Sequence, residues 1–201
     1  MKFTRNILNG KFFLSALMVF GLARIAAASE PTAFSLIKQA DRYVGEEAKD
    51  KVVQIRSEKS IGSLTPNIWY VVFYDPDATF KSTEVKFGAG EKLSVKRPFR
   101  VLEYVKADKV FDKDKLKVDS DEAIKKATSE PLLKNLTLKA TQLWLDSDMK
   151  VDLSVTGPIW RVRLWAAKLD NPNRDVDVGE VYISAETGKV VKSDLHIDRV
   201  D

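Results

Sequence analysis

The order of predicted elements in residues 33–192 occurs twice, and this internal repeat constrains the fold more than any other feature of the sequence. In each half a short amphipathic helix precedes two strands and a hairpin. The halves also align on residues, since PNIW at Pro66–Trp69 corresponds to GPIW at Gly157–Trp160. Repetition of one supersecondary unit is typical of duplication. The sequence therefore predicts an α+β fold built from two similar units.

The first half opens with a helix predicted over Ala33–Val44, preceded by Pro31 and followed by Gly45. Its apolar face is predicted to contain Ala33, Phe34, Leu36, Ile37, Ala40, Tyr43 and Val44. Strands are predicted at 51–56, 68–74, 83–87 and 92–96. The sequence Gly88-Ala89-Gly90 joins the last two strands as a hairpin.

The second half opens with a helix that begins at Ser120 and is limited by Pro131. Strands are predicted at 136–145, 159–169, 181–184 and 189–192. The turn between the last two puts Gly188 where a positive φ is required. The charged segment 107–119 connects the halves, which predicts an N-terminal domain over 29–107 and a C-terminal domain over 108–201.

Residues 1–28 have the pattern of an export signal. Four basic residues and no acidic residue lie in this segment, and an apolar run covers Phe12–Ala23. Small residues at 26–29 fit a cleavage site after Ala28. The apolar run is shorter than the roughly 20 residues of a membrane span, so an uncleaved membrane anchor is the less favoured alternative. We therefore expect a periplasmic or secreted protein whose mature chain has no membrane span.

Composition excludes several classes of function. Residues 29–201 contain equal numbers of basic and acidic side chains, which argues against nucleic-acid binding. The chain has no Cys and one His, so thiolate chemistry and sites that need several imidazoles are excluded. The sequence also lacks a nucleophile elbow and a glycine-rich phosphate loop. We expect a non-enzymatic protein with no catalytic residue, cofactor or metal.

Three segments of the second half carry a resemblance to a known family: SDEAIKKA at Ser120–Ala127, WRV at Trp160–Val162 and GEVYISAETGKV at Gly179–Val190. Together they make Leu116–His196 similar to a PepSY domain, and the first half resembles that family through its match to the second. The resemblance implies two tandem PepSY-like, or cystatin-like, modules, each a helix packed on an antiparallel sheet. PepSY domains occur in secreted and cell-envelope proteins, including propeptides of metalloproteases, and are proposed to restrain proteases.

The strand predicted at 159–169 has two different faces. Trp160, Val162, Leu164 and Ala166 form an apolar row that suits packing under a helix. Arg161, Arg163 and Trp165 lie on the other face with Ile159, where guanidinium and aromatic groups suit carboxylates, peptide backbone or stacked rings. We predict a partner-binding face at Arg161, Arg163 and Trp165. The alternative is that the Arg side chains cover an exposed sheet or pack against the other half.

The corresponding row of the first half, Tyr70, Val72 and Tyr74, is less polar. A row of this kind is seldom left facing water, so we expect it to be covered. Packing within the chain is favoured over packing against another subunit.

Three functions remain open at this point. The first is a protein- or peptide-interaction module that restrains an envelope or secreted protease. The second is a small-molecule binder with a cavity between helix and sheet, lined by Trp69, Trp144 and Trp160. The third is a structural envelope component that self-associates.

Overall fold

The computed structural model describes residues 30–98, 105–147, 149, 151, 157–168, 171 and 175–200. The predicted signal peptide, residues 1–28, lies outside this part of the chain, and so does Leu169 at the predicted end of a strand. The described residues form an α+β fold with one antiparallel sheet of eight strands.

Among the described residues, each half supplies one α-helix and four strands, in the order that the repeat predicts. The elements of the first half are α1 (Ala33–Ala40), β1 (Val52–Ser57), β2 (Ile68–Tyr74), β3 (Ser82–Gly88) and β4 (Glu91–Lys96). The elements of the second half are α2 (Ser120–Thr128), β5 (Leu136–Asp146), β6 (Ile159–Lys168), β7 (Val176–Ser184) and β8 (Val190–Leu195).

The two halves share a single sheet, with strand order β4-β3-β2-β1-β5-β6-β7-β8. They meet where β1 pairs antiparallel with β5, with Gln54, Ile55 and Arg56 opposite Asp146, Leu145 and Trp144. The sequence predicts four strands in each half, but it does not predict that the first strand of one half pairs with the first strand of the other. The two β-meanders are therefore arranged around the β1–β5 junction. Along the chain, α1 precedes β1 and α2 precedes β5, the two strands of this junction.

Two buried serines extend this junction beyond the paired residues. The Ser57 hydroxyl accepts a hydrogen bond from the backbone N–H of Leu143 at 2.9 Å. The Ser60 hydroxyl accepts from the backbone N–H of Thr141 at 2.9 Å, and the Ser60 N–H donates to the Thr141 carbonyl at 2.8 Å. Side chains thus satisfy backbone groups of β5 beyond its three residue pairs with β1, as buried polar groups require.

The main core lies between the sheet and its two helices. Trp69 and Trp160, which align in the repeat, are 1% and 0% exposed, and each indole N–H donates to a backbone carbonyl, of Pro66 and Val118 respectively. The ring of Phe34 in α1 stacks on Trp160 with centroids 6.2 Å apart, so a first-half helix contacts the second half. The predicted apolar row Trp160, Val162, Leu164 and Ala166 is confirmed, since all four are buried.

The first helix is shorter than predicted. The α-helix ends at Ala40, and a 3₁₀ turn over Asp41–Tyr43 follows it. A 3₁₀ turn has three residues per turn instead of 3.6, which moves the following side chains away from the apolar face. Tyr43 lies at the edge of that face, since its side chain is 42% exposed while its ring centroid is 6.4 Å from that of the buried Phe87.

Candidate functional site

The candidate site lies on the face of the sheet opposite the helices, which we call the open face. Arg161, Arg163 and Trp165 alternate along β6 with the buried core residues and are half-buried. The period-two pattern of the strand therefore places all three on one face, as predicted.

The register of the sheet aligns seven side chains of the open face, alternately cationic and aromatic, in a line that crosses six strand-to-strand steps from β3 to β8. At about 4.8 Å between neighbouring strands, this line is about 29 Å long. We call it the cation–aromatic row. In spatial order it contains Lys86, Tyr70, Arg56, Trp144, Arg161, Tyr182 and Lys192.

Cations of the row lie over the rings beside them. The guanidinium carbon of Arg56 is 4.1 Å from the Tyr70 ring centroid, and that of Arg161 is 4.1 Å from the Trp144 ring centroid. The Lys86 ammonium lies 4.9 Å from the Tyr70 centroid. Contacts of this kind contribute about 0.5–1 kcal/mol each at exposed sites. They hold the side chains of the row in an ordered surface.

The alternation of cationic and aromatic side chains continues across the β1–β5 junction because equivalent strands of the two halves contribute different types of side chain to the row. Arg56 is the row's residue on β1, whereas the structurally equivalent strand β5 contributes Trp144. The next strands outward contribute Tyr70 and Arg161. Had both halves carried a cation at the junction, two like charges would lie directly opposite each other, which is destabilising.

Carboxylates neutralise three of the row's four cations. Arg56 forms an ion pair with Glu84 at 2.6 Å, and Lys86 with Glu58 at 3.0 Å. The Tyr70 hydroxyl and the Lys86 ammonium both donate to Glu58 and hold the pKa of its carboxyl below the ordinary value. At the far end, Lys192 lies 3.4 Å from Asp194. These ion pairs leave little net charge on the two ends of the row.

Arg161 differs from the other three cations, because it forms no ion pair with any residue that the structure describes. Its Nε atom is buried and has no hydrogen-bond partner there. The neighbouring Tyr182 donates its hydroxyl to Glu180 at 2.7 Å. Burial, assisted by this hydrogen bond, raises the pKa of Tyr182 to about 12. The Arg161 guanidinium lies against the Trp144 ring and pairs with no described carboxylate, so it keeps an unused capacity to bind an anion.

Arg163 and Trp165 form a second group beside the row. The Arg163 Nε–H donates to Asp177 at 2.9 Å. Burial raises the pKa of the Asp177 carboxyl, but the Arg163 guanidinium and the Gly179 N–H outweigh burial and leave that pKa below its ordinary value. The Lys59 ammonium lies 4.5 Å from the Trp165 ring centroid. The predicted three-residue face therefore divides into a neutralised pair, Arg163 with Asp177, and the unpaired Arg161.

The apolar row of the first half is covered from within the chain. Val72 is 1% exposed and packs with Val53 and Val105, and the partly buried Tyr74 packs against this small cluster. Val105 belongs to the connection between β4 and α2, so that segment, not the second half, provides the cover. The predicted packing within the chain is confirmed for Val72 and Tyr74, whereas Tyr70 belongs to the cation–aromatic row.

The three tryptophans proposed to line a ligand cavity do not lie together. Trp69 and Trp160 are in the core between sheet and helices. Trp144 is on the open face, opposite Arg56 and Arg161 in the register. A cavity lined by all three is therefore wrong, because Trp144 lies on the other side of the sheet.

Most residues of the cation–aromatic row are not predicted as site residues from the sequence. The alternation of Trp144 with Leu143 and Leu145 was a usable signal, since it places Trp144 on the face away from the core. The line itself depends on which strands pair and in which register, and neither follows from the periodicity of single strands.

Comparisons with known proteins identify no family for this chain. It matches no protein-family model, no curated protein and no solved structure. Its similarity to PepSY domains therefore stays a prediction from sequence. Among the described residues, no helix combines the length and the hydropathy needed to cross a membrane.

Proposed function

We propose that this chain is an exported, non-enzymatic protein with two PepSY-like halves, which binds an extended segment of a partner protein on the open face. The observation that carries the proposal is the cation–aromatic row, in which Arg161, next to the central Trp144, has no ion-pair partner among the described residues. The partner is an envelope or secreted protease, and binding of this protein restrains its proteolytic activity. The mature protein acts in the periplasm or outside the cell.

The chemistry of the row supports a protein partner. Arg, Tyr and Trp are the residue types most enriched at the energetically dominant positions of protein interfaces. Six of the seven side chains are half-buried, so little further side-chain ordering is needed on binding. A length of about 29 Å accommodates about nine residues of extended peptide.

The order of elements supports the PepSY-like part of the proposal. Each half has one α-helix followed by a four-stranded antiparallel meander, which is the type of module that the resemblance implies. The basic and apolar pattern of residues 1–28 supports export.

The proposal is tested with charge-reversal variants of the protein, expressed with residues 1–28 in its own host. The variant Arg161→Glu/Arg163→Glu is compared with a control of equal charge change, Lys125→Glu/Lys134→Glu, whose two lysines are exposed and lie outside the sheet. Polypeptides that co-purify from envelope extracts are identified by native mass spectrometry, and far-UV circular dichroism verifies the fold. A partner retained by wild type and control but lost from the first variant supports the proposed face.

Four outcomes contradict the proposal or a part of it. Equal capture by both variants eliminates the open face as the binding surface. A complex made only of copies of this chain would show that the protein self-associates and binds no other partner. A retained small molecule would favour the ligand-binding alternative. If the captured polypeptide is a peptidase, its hydrolysis of a fluorogenic substrate should slow in the presence of the wild-type protein; an unchanged rate removes the inhibitory role.

A further inference from the structure

We infer that Arg161 is the subsite for one acidic side chain of the bound peptide, with uncharged residues on either side of it. This inference rests on the proposed function and specifies its ligand. It follows from three features of the open face: the unpaired guanidinium, the position of Arg161 within the row, and the carboxylates that border the row.

The guanidinium is prepared for a carboxylate. The Trp144 ring, 4.1 Å from the guanidinium carbon, restricts the rotamers of Arg161, and no described carboxylate occupies its donors. Arg binds a carboxylate through two parallel hydrogen bonds, and a guanidinium already held against a ring loses less entropy on binding. The other row cations, Arg56, Lys86 and Lys192, are paired with carboxylates of this chain and offer no equivalent site.

The position of Arg161 favours a side-chain carboxylate over a chain terminus. The row continues past Arg161 in both directions, to Tyr182 and Lys192 on one side and to Trp144 and beyond on the other. A peptide that passes over Arg161 contacts rings on both sides, whereas a terminal carboxylate bound there would leave part of the row uncovered.

The bordering carboxylates restrict the charge of the peptide. Four acidic residues flank the row, each two residues before or after the row's own residue on the same strand: Glu84, Asp146, Glu180 and Asp194. Because ion pairs already occupy the other three cations of the row, a polyacidic peptide would find no second cation of the row ready to bind its further carboxylates. The favoured ligand therefore has one Asp or Glu, with uncharged aliphatic or aromatic neighbours that pack on the Trp144 and Tyr182 rings.

The test is selection of nine-residue peptides from a random display library on the immobilised full protein, followed by sequencing of the bound pool. We expect Asp and Glu to be enriched about tenfold over Asn and Gln at one peptide position, the factor that corresponds to one charge-assisted hydrogen bond. Arg161→Gln should remove this enrichment. The matched variant Lys125→Gln should retain it, because Lys125 is exposed and lies on α2, outside the sheet.

Each contrary result has a defined meaning. A pool without carboxylate enrichment, an enrichment that survives Arg161→Gln, or a selection that yields no binders overturns the inference. The selection is also run with two libraries, one with free and one with blocked peptide C-termini. If binding requires a free C-terminus, the ligand of Arg161 is a chain terminus and not an acidic side chain. The proposed function is judged separately, by partner capture with Arg161→Glu/Arg163→Glu, so it can stand when the acidic subsite fails.

Discussion

The Oδ1 atom of Asp119 lies 3.1 Å from the backbone nitrogen of Phe34 and accepts its N–H across the two halves of the chain. The same oxygen accepts from the N–H of Ser120 at 2.6 Å, and the Ser120 hydroxyl accepts from the N–H of Ala33 at 3.0 Å. The N-termini of α1 and α2 therefore meet at one carboxylate. Both helix dipoles favour a negative charge there, and unpaired N–H groups of both helices are satisfied.

Replacing Asp119 with Ala should lower the free energy of unfolding by about 1–2 kcal/mol, since it removes a helix cap and a hydrogen bond between helices. Urea denaturation followed by circular dichroism measures this change. The control is Asp121→Ala, an exposed acid in the first turn of α2, which should cost less than half as much. Equal losses in the two variants would show that general helix-dipole electrostatics, not the shared cap, explains the effect.

Replacing Gly179 with Ala should destabilise the protein by about 3 kcal/mol or more. Gly179 has φ +113°, and an added Cβ would lie 2.1 Å from the carbonyl oxygen of Asp194 on the neighbouring strand β8. The control is Gly45→Ala, because Gly45 has a negative φ and no atom within 4 Å of the added Cβ. Soluble yield and urea midpoints test this, and a Gly179→Ala protein as stable as the control contradicts it.

Replacing Ala89 with Gly should stabilise the β3–β4 hairpin by about 0.5–1 kcal/mol. Ala89 has φ +48° and precedes Gly90 at φ +82°, the pattern of a two-residue type I′ turn, in which a residue with a Cβ is strained. Ala107→Gly, in an exposed 3₁₀ turn, should bring no gain. The melting temperatures of the two variants and the wild type test this prediction. If Ala89→Gly melts below the wild type, the backbone at Ala89 is not strained.

Tyr182 should make the protein less stable at high pH. Its pKa is about 12 in the folded chain and 10.0 in the unfolded chain, so the unfolded chain releases this proton first. The stabilisation is therefore complete below about pH 10 and is lost as the pH rises toward 12. Between about pH 9 and about pH 11, the free energy of unfolding should fall more for the wild type than for Tyr182→Phe. Parallel losses in both proteins would be the contrary result.

Unfolding should be a single cooperative transition, although the sequence predicts a domain boundary after residue 107. The sheet is continuous across β1 and β5, and buried residues of both halves belong to one core. Tryptophan fluorescence and circular dichroism should give the same urea midpoint. Val85→Ala, in the first half, should shift that whole transition. A second transition that Val85→Ala leaves unmoved would instead support two independent domains.

Local patterns were sufficient to predict the order of the elements but not all of their bounds, since β7 begins at Val176, five residues before the predicted start. The contrast between Trp160 and Arg161 on one strand predicted a buried and an open face, because successive side chains point to opposite sides of a sheet. Gly188 was expected at a positive φ and has φ +70°. The first α-helix is predicted too long because one added turn of helix and a 3₁₀ turn look alike over three residues.

The repeat, the order of the strands along the chain and the residues that share a face all follow from local sequence patterns, since each depends on neighbours within a few positions. The pairing of β1 with β5 and its register become visible in the folded sheet alone. That pairing brings Arg56 beside Trp144 and completes the line on which Arg161 stands without an acidic partner among the described residues. Pairing between distant strands depends on packing and hydrogen bonding of the whole sheet, and no periodicity within one strand encodes it.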